Sequence, residues 1–444
     1  MLLYHKAESF KIRFWLALLL YYHSNETSPV EAGYCVVTLL NLNDHSILRT
    51  KLKTMNSSSK PNNRIYSTIG YYGAFICLGL ASAAIGPTLP GLAKNTNSSL
   101  NAISYLFASS SFGYFLGALL GGRLYDRLPG NRLIAGMLIL MACSLSLVPL
   151  IPILWLLVII MGLLGIGEGA LDAGGNTLLT RTHPTNLGPY MNGLHFFFGV
   201  GTSITPIIIA QTALSSGELR WAFWIMALLF IPVIVWLFFQ PSPPIHMETR
   251  HETTSSSSNR TLIWTIAALF FLYVGAEVAF GNWIYTYTIK LQLSSITQAA
   301  YLNSLFWGAF TIGRLVAIPI AARVKSQTII WVDLTGSFIC MSAILFFPSS
   351  VNVLWAAAAG TGIFFASIFP TAMVMAEEHM ALTGRVTSYF LVGSSLGGMV
   401  VPWLVGQLFE PVGAWVMPVI VLACVALCLV VCLRISTLRR VSIS

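Results

Sequence analysis

Residues 153–179 have the sequence ILWLLVIIMGLLGIGEGALDAGGNTLL, an apolar run long enough to cross a bilayer that nevertheless contains two carboxylates. Glu168, Asp172 and Asn176 follow one another at intervals of four residues, so in a helix they share one face. An ionised carboxylate in hydrocarbon costs about 2.5–3.5 kcal/mol even on the mildest scale. We therefore expect this face to be functional and turned away from lipid. The glycines around it would let a second helix, or a ligand, approach the backbone closely.

The composition excludes a soluble fold. Of the 444 residues, 56% are hydrophobic and 9% are charged, and the mean hydropathy is +0.76. This indicates a polytopic helical membrane protein, since the strands of a membrane barrel would alternate polar and apolar residues. Basic residues at the cytoplasmic ends of helices explain the net charge of +9, so we expect no nucleic-acid partner. The seven cysteines show no CxxC or disulfide pattern, and we predict neither a metal site nor a cofactor.

Twelve apolar segments follow one another in two sets of six, which predicts an all-α membrane protein built from two six-helix bundles. The segments lie at about 66–92, 101–121, 132–150, 153–179, 189–212 and 220–239, then at about 261–288, 298–318, 327–347, 351–375, 385–408 and 413–434. The predicted domains are a disordered cytoplasmic leader (1–65, with Met55 as an alternative start), an N-terminal bundle (66–240), a cytoplasmic linker (241–260), a C-terminal bundle (261–434) and a cytoplasmic tail (435–444).

The placement of basic residues predicts the orientation. With the N-terminus inside, every Lys and Arg except Lys94, Arg220 and Lys290 falls in a cytoplasmic segment. We therefore expect both termini to be cytoplasmic, in a plasma membrane or a bacterial inner membrane.

The loop after the second segment resembles a signature of the major facilitator superfamily. Residues 121–132, GGRLYDRLPGNR, follow the pattern G-x-x-x-D-R/K-x-G-R-R through Gly122, Asp126, Arg127 and Arg132. The resemblance identifies these four residues as a gating loop. An aspartate at a helix end can hold Arg127 and face the N-terminus of a neighbouring helix.

A second stretch resembles a decayed copy of the same loop. Residues 313–325, GRLVAIPIAARVK, keep Gly313 and Arg314 but lack the acid. The resemblance implies the major facilitator fold, whose two bundles rock about a site near the bilayer midplane.

Four further stretches resemble the fucose–galactose–glucose symporter family within that superfamily. They are GPTLP (86–90), LDAGGNTLL (171–179), MNGLHFFFGVG (191–201) and FLYVGAEVAFGNW (271–283). The similarity covers about residues 66–434. The first helix differs from that of the bacterial fucose permease, because residues 80–90, LASAAIGPTLP, contain no acid. In this respect the chain is more similar to the branch of the animal sodium-dependent glucose transporter.

Three acids within predicted spans are candidates for cation coupling: Asp172, Glu168 and Glu277. The resemblance assigns Asp172, four residues before Asn176, to the acid position of the family. A buried carboxyl group can take up and release a proton, or it can stay ionised and bind Na⁺. Glu277 lies four residues after Tyr273, so the two can hydrogen-bond, and it can replace the acid missing from the first helix. The alternative is that each acid bonds to a facing helix and has no role in transport.

Sugar recognition needs planar polar groups for pairs of hydroxyls and aromatic faces for the C–H side of the ring. The candidate substrate-binding residues are Asn176, Asn192, His195, Asn282, Trp283, Asn303 and Trp307. Asn303 and Trp307 lie four residues apart on the eighth helix. Each of these side chains alone can equally be a packing or interfacial residue. Glu377 and Glu378 are interpreted as solvated loop residues.

The sequence predicts a secondary active transporter and not an enzyme, since it contains no nucleophile–base arrangement, phosphate loop or ATP-binding signature. We expect cation-coupled (H⁺ or Na⁺) uptake of a sugar such as a hexose by alternating access, by a protein that functions as a monomer. Two alternatives stay open: proton-coupled efflux of small hydrophobic compounds, and a non-transporting membrane receptor on the same fold.

Overall fold

The computed structural model describes residues 61–185, 187–244, 260–380 and 384–441, and all regular elements within these ranges are helical. The helices are α1 (Pro61–Ser82), α2 (Ile85–Asn95), α3 (Leu100–Ile103), α4 (Tyr105–Tyr125), α5 (Gly130–Leu147), α6 (Leu154–Thr182), α7 (Leu187–Ser216), α8 (Arg220–Phe239), α9 (Arg260–Lys290), α10 (Ile296–Ala321), α11 (Ser326–Phe346), α12 (Val351–Phe365), α13 (Ile368–His379), α14 (Gly384–Phe409) and α15 (Val416–Val441). The predicted leader before residue 61 and most of the predicted linker, 245–259, lie outside the described residues.

Twelve segments within these ranges are long and apolar enough to cross a membrane, which confirms the predicted number. The helices pack as two six-span bundles, α1–α8 and α9–α15, and the most extensive contacts within them join α4 to α6 and α9 to α14. The last helix continues to Val441, beyond its predicted end near residue 434.

Besides a one-residue turn at Ser104, between α3 and α4, two spans predicted as continuous helices are broken. The first span is interrupted at residues 83–84, between α1 and α2, and the tenth at residues 366–367, between α12 and α13. Each break begins four residues before a proline, Pro87 or Pro370. A proline has no N–H to donate to the carbonyl four residues earlier, and its ring collides with that carbonyl. The helical ladder is therefore interrupted at the first residue of each break.

Glycines bring α4 and α6 together backbone to backbone. A Cβ atom added at Gly169 would lie 2.0 Å from the carbonyl oxygen of Tyr114. A Cβ atom added at Gly113, Gly117 or Gly165 would likewise lie 2.1 Å from a carbonyl oxygen of the other helix. These residues recur at four-residue intervals on both helices, the spacing of a small-residue packing face. The expectation that the glycines of residues 165–176 allow close helix packing is confirmed.

The same kind of contact occurs elsewhere in both bundles. An added Cβ at Gly79 of α1 would lie 2.1 Å from the carbonyl oxygen of Phe198 in α7. One at Gly397 of α14 would lie 2.0 Å from the carbonyl oxygen of Phe271 in α9. Close backbone packing thus holds the helices of each bundle together.

We expect Gly169→Ala to lower the free energy of unfolding by about 1–3 kcal/mol, because the added methyl group forces α4 and α6 apart. Thermal unfolding of the purified protein in detergent measures the change. Gly136→Ala in α5 is the matched control, since nothing lies within 4 Å of the added atom. At such an open helical site alanine stabilises by about 0.4–1 kcal/mol. An equal loss of stability in both variants would contradict the role of the glycine contact.

Candidate functional site

A cavity of about 1000 Å³ lies between the two bundles. Residues of α1, α4, α6 and α7 line it from the first bundle, and residues of α9, α10, α13 and α14 from the second. Its volume is at the upper end of the range for small-molecule sites, about 300–1,000 Å³. Both helix breaks reach its wall, the first beside Ser82 and the second at Ser367.

The two predicted coupling acids of α6 lie on the cavity wall with their oxygens held. Asp172 accepts hydrogen bonds from the Tyr114 hydroxyl at 2.5 Å and from the Asn176 amide at 3.1 Å. Glu168 is only 5% exposed and accepts a longer bond, 3.4 Å, from the Ser82 hydroxyl. Asp172 is therefore the more firmly oriented acid. Neither Tyr114 nor Ser82 was expected from the sequence, where each is one of many small or aromatic residues in an apolar span.

The third predicted acid, Glu277, lines the cavity from α9 in the other bundle. Its carboxyl group lies beside the Tyr273 hydroxyl, as the four-residue spacing predicts. That hydroxyl also donates to the carbonyl of Phe365 at 2.7 Å, at the end of α12. Glu277 is therefore in contact with a side chain that is tied to the broken tenth span.

Most of the predicted substrate-binding residues line the cavity: Asn176, Asn192, His195, Asn282 and Trp307. Trp283 and Asn303 do not, and both are fully buried within the second bundle. The Trp283 indole donates to the carbonyl of Pro402 at 2.9 Å, and the Asn303 amide donates to the carbonyl of Gly281. The structure places these two side chains in helix packing rather than on the cavity wall.

Arg314 also lines the cavity. Of the stretch that resembles a second signature loop, residues 313–321 belong to α10, so Arg314 lies within the helix and not in a loop. The guanidinium lies over the ring of Phe310, 4.5 Å from its centroid, and is close enough to Asp172 and Glu277 for charge interaction. The signal available in the sequence was an arginine inside an apolar run, which is costly in hydrocarbon unless it faces a polar interior.

The cavity is sealed at one end by contacts between the bundles. The Gln407 amide of α14 donates to the Asn101 carbonyl and to the Ser104 hydroxyl, both at 3.1 Å. Beside it, the Glu410 carboxylate accepts a hydrogen bond of 2.9 Å from the backbone N–H of Leu100. The beginning of the second span and the end of the eleventh thus close this end.

At the other end the cavity continues to exposed residues, including Val324, Lys325 and Glu378. We call this the basic end, because it carries Arg123, Arg127, Arg132, Arg181, Arg323 and Lys325. Glu377 and Glu378 are exposed as expected, but their placement in a loop is wrong, since both lie in α13. The Glu378 carboxylate accepts hydrogen bonds of 2.9 Å from the Ser326 hydroxyl.

A sequence model described as Major Facilitator Superfamily matches residues 71–402. The chain belongs to the Major Facilitator Superfamily. It is 33% identical to sodium-dependent glucose transporter 1 of Danio rerio over 76% of this chain and 63% of that protein, so the match spans less than two thirds of that relative. It is 27% identical to sodium-dependent glucose transporter 1 of Homo sapiens (76% and 72%) and 26% identical to Major facilitator superfamily domain-containing protein 4A of Homo sapiens (78% and 87%).

Two solved structures share the fold. The nucleoside transporter NupG matches with a TM-score of 0.63 and 13% identity, over 85% of this chain and 98% of NupG. A bacterial homolog of the human lysosomal transporter Spinster matches with a TM-score of 0.66 and 13% identity, over 86% of this chain and 98% of the homolog. The chain is thus a multi-pass membrane protein and a Major Facilitator Superfamily secondary transporter of a small solute, and not an enzyme.

The signature loop of this Major Facilitator Superfamily protein packs on its own bundle. Asp126 pairs with Arg181 at the end of α6, at 2.8 Å, and not with Arg127 as expected. Arg127 and Arg132 are exposed, and an added Cβ at Gly122 would meet nothing within 4 Å. The Asp126 side chain is 68% exposed. The pair therefore contributes at most about 1 kcal/mol and can be exchanged readily.

A histidine just beyond α6 is held in its neutral form. The Nε2 atom of His183 lies 2.7 Å from the Thr68 hydroxyl oxygen, and that hydroxyl donates to the carbonyl of Arg64, so the ring nitrogen is the donor. The ring stacks on Tyr190 with 3.5 Å between centroids. Burial, and then the positive charge of Arg64, lowers the pKa of His183 below its usual 6.5.

We expect Tyr114→Phe to destabilise the protein by about 1.5–3 kcal/mol, the contribution of a hydrogen bond to a charged group. The loss should largely disappear in an Asp172→Asn background, because the two side chains act as a pair. Thermal unfolding of the single and double variants measures the coupling. Tyr105→Phe at the start of the same helix is the control. Additive losses from the two substitutions would show that the hydroxyl does not act through Asp172.

We expect the stability that His183 contributes to decline as the pH falls below about 6.5, because there the unfolded chain binds a proton that the folded protein does not. The contribution is fully present above that pH. Thermal unfolding between about pH 7.5 and about pH 5.5 should therefore show a larger drop for the wild type than for His183→Gln. Equal drops in the two proteins would contradict the neutral assignment.

Proposed function

We propose that this transporter takes up a sugar such as a hexose together with H⁺ or Na⁺, by alternating access. The observation that carries the proposal is the meeting, in one cavity, of carboxylates from both bundles with amide and aromatic side chains. The relatives named sodium-dependent glucose transporter 1 support Na⁺ and glucose as the first cation and solute to test.

The cation is proposed to bind at Asp172, Glu168 and Glu277. Hydrogen bonds from Tyr114 and Asn176 fix the Asp172 carboxylate on the wall without neutralising it. A carboxylate held in this way is a ligand for Na⁺ or an acceptor for a proton. Because Glu277 lies on the opposite bundle, occupancy of these acids can respond to the movement of one bundle against the other.

The solute is proposed to bind among Asn176, Asn192, Asn282, His195 and Trp307 on the same wall. An asparagine amide has two donors and an acceptor in one plane, which suits pairs of sugar hydroxyls. The Asn176 amide nitrogen donates to Asp172 and that of Asn282 donates to the Val278 carbonyl, so these two side chains offer the solute chiefly their amide oxygens. The Trp307 ring supplies an apolar face for the C–H side of a pyranose. His195 lies edge-on to Phe75 and adds one more donor or acceptor.

We place the basic end in the cytoplasm, with both termini on that side, because positive charge marks cytoplasmic segments. In this orientation the cavity faces inward, and the contacts of Gln407 and Glu410 form the closed outer gate. The loop that carries Gly122, Asp126, Arg127 and Arg132 is then the element proposed to close the inner side in the outward-facing state. We assign the protein to a plasma or bacterial inner membrane and propose that the monomer is the functional unit.

We expect Asp172→Asn and Glu277→Gln each to reduce concentrative uptake of labelled glucose by about tenfold or more, since each removes a charged ligand for the cation. Initial rates in proteoliposomes, driven by an imposed Na⁺ or H⁺ gradient, measure the effect. Glu377→Gln is the control, because Glu377 is exposed on α13 and does not line the cavity.

Comparing uptake driven by a Na⁺ gradient with uptake driven by a H⁺ gradient identifies the coupled cation. A requirement for Na⁺ identifies sodium symport, and sugar-induced alkalinisation of the medium identifies proton symport. Unchanged concentrative uptake in both acid variants would rule out their role in coupling. Absence of flux with every hexose tested would support a receptor instead.

A further inference from the structure

We propose that Arg314 binds a carboxylate on the transported solute, so that the preferred cargo is a singly charged sugar acid rather than a neutral hexose. The inference rests on the proposed function to the extent that the solute enters the same cavity. It concerns the Arg314 guanidinium, which has no role in the proposed binding of a neutral sugar by amide and aromatic side chains.

Among the residues that the structure describes, none accepts a hydrogen bond from the Nε atom of Arg314, which is buried. Neither of the ion pairs found within the described ranges includes it. The central carbon of the guanidinium lies over the Phe310 ring, a cation–π contact that helps to hold the group in position. An arginine of this kind inside a span is expensive, and its donors call for an acceptor that arrives from the cavity.

A carboxylate is the acceptor that best fits this arrangement. The planar fork of a guanidinium matches the two oxygens of a carboxylate, and such charge-assisted pairs are about twice as strong as neutral ones. The other basic side chain on the wall, Lys325, lies at the basic end beside Ser326. One guanidinium with two carboxylates in charge range, Asp172 and Glu277, suits a single negative charge better than the double charge of a phosphate ester.

The neighbouring acids make this binding depend on the cation. Arg314 is within range of charge interaction with Asp172 and Glu277. While these acids are ionised, they repel an anionic solute and compete with it for the guanidinium. A cation bound to them removes both effects, so cation and solute favour each other, and this coupling is reciprocal. The affinity for a neutral hexose would not be raised by the cation in this way.

The test compares D-glucuronate with D-glucose on the purified full-length protein in saturating Na⁺ at neutral pH. Ligand-induced thermal stabilisation gives each dissociation constant without requiring transport. We expect glucuronate to bind about tenfold more tightly than glucose. Arg314→Gln should remove that preference and leave the affinity for glucose within about twofold, with Arg314→Lys intermediate.

The control is Arg323→Gln, which removes the same charge from an exposed residue just beyond α10 and off the cavity wall. It should keep the preference for glucuronate. Glucose binding as tight as glucuronate in the wild type would overturn the inference, and this comparison does not depend on any variant folding. Tighter binding of glucose 6-phosphate than of glucuronate, or an equal loss of both sugars in Arg314→Gln, would overturn it as well.

The two proposals fail in different ways. Concentrative uptake of glucose without binding of glucuronate leaves the proposed hexose uptake standing and overturns the inference. Binding of glucuronate that Arg314→Gln abolishes, without cation-driven uptake of either sugar, supports the inference and overturns the proposed uptake.

Discussion

Close backbone contact between α4 and α6 is the constraint on which the cavity depends. The Tyr114 carbonyl lies against Gly169, and the hydroxyl of the same tyrosine binds Asp172 on the next turn of α6. The contact that covers Gly169 therefore also sets the hydrogen bond that orients the acid one turn further along the same face of α6. A side chain at Gly169 would disturb both. This is the physical reason why glycines and carboxylates alternate so closely in residues 165–176: the glycines keep an expensive charged face away from lipid.

The contacts that seal the cavity between the two bundles are side-chain hydrogen bonds, unlike the close backbone packing inside each bundle. At the sealed end, side chains such as Gln407 and Glu410 reach across to the other bundle and bind backbone groups and a hydroxyl. Exchange with water costs about 0.5–1.5 kcal/mol for each bond between neutral groups and about 1.5–3 kcal/mol for the bond to the Glu410 carboxylate. Backbone packing inside each bundle offers no such exchange, since a shifted helix loses many contacts at once. The difference allows the bundles to move as rigid units while the seal opens.

Much of this fold can be predicted from the sequence, because hydropathy alone requires twelve spans and charge in an apolar run marks the acids. The helix breaks cannot. Proline weakens the helical ladder at Pro87, Pro370, Pro206 and Pro402 alike, but only the first two follow breaks and the other two lie inside continuous helices. Tertiary packing therefore decides which of the weakened sites opens. A polar residue within a span also does not reveal whether its side chain faces the cavity or a neighbouring helix. Asn303 turned out to bind a neighbouring helix.

The same ambiguity applies to Arg314, which the loop resemblance placed too close to the helix end. Its true position changes the charge balance of the transport cycle. The cavity reaches exposed residues at the basic end in this state, so water can screen its ions, and closure around them lowers the effective dielectric constant and raises the energy of any unbalanced charge. With a monovalent cation on the acids and a monoanionic solute on Arg314, the fully loaded cavity has the same net charge as the empty one. Either partner alone changes that charge by one unit. With Asp172 and Glu277 ionised beside one Arg314, the empty site carries one net negative charge, an anionic solute alone raises that to two, and a bound cation offsets the increase. Closure is therefore penalised most when the solute is bound without the cation, which favours movement of the two together. A neutral solute does not change the charge of the site, so the same acids and the same arginine would couple it to the cation less tightly.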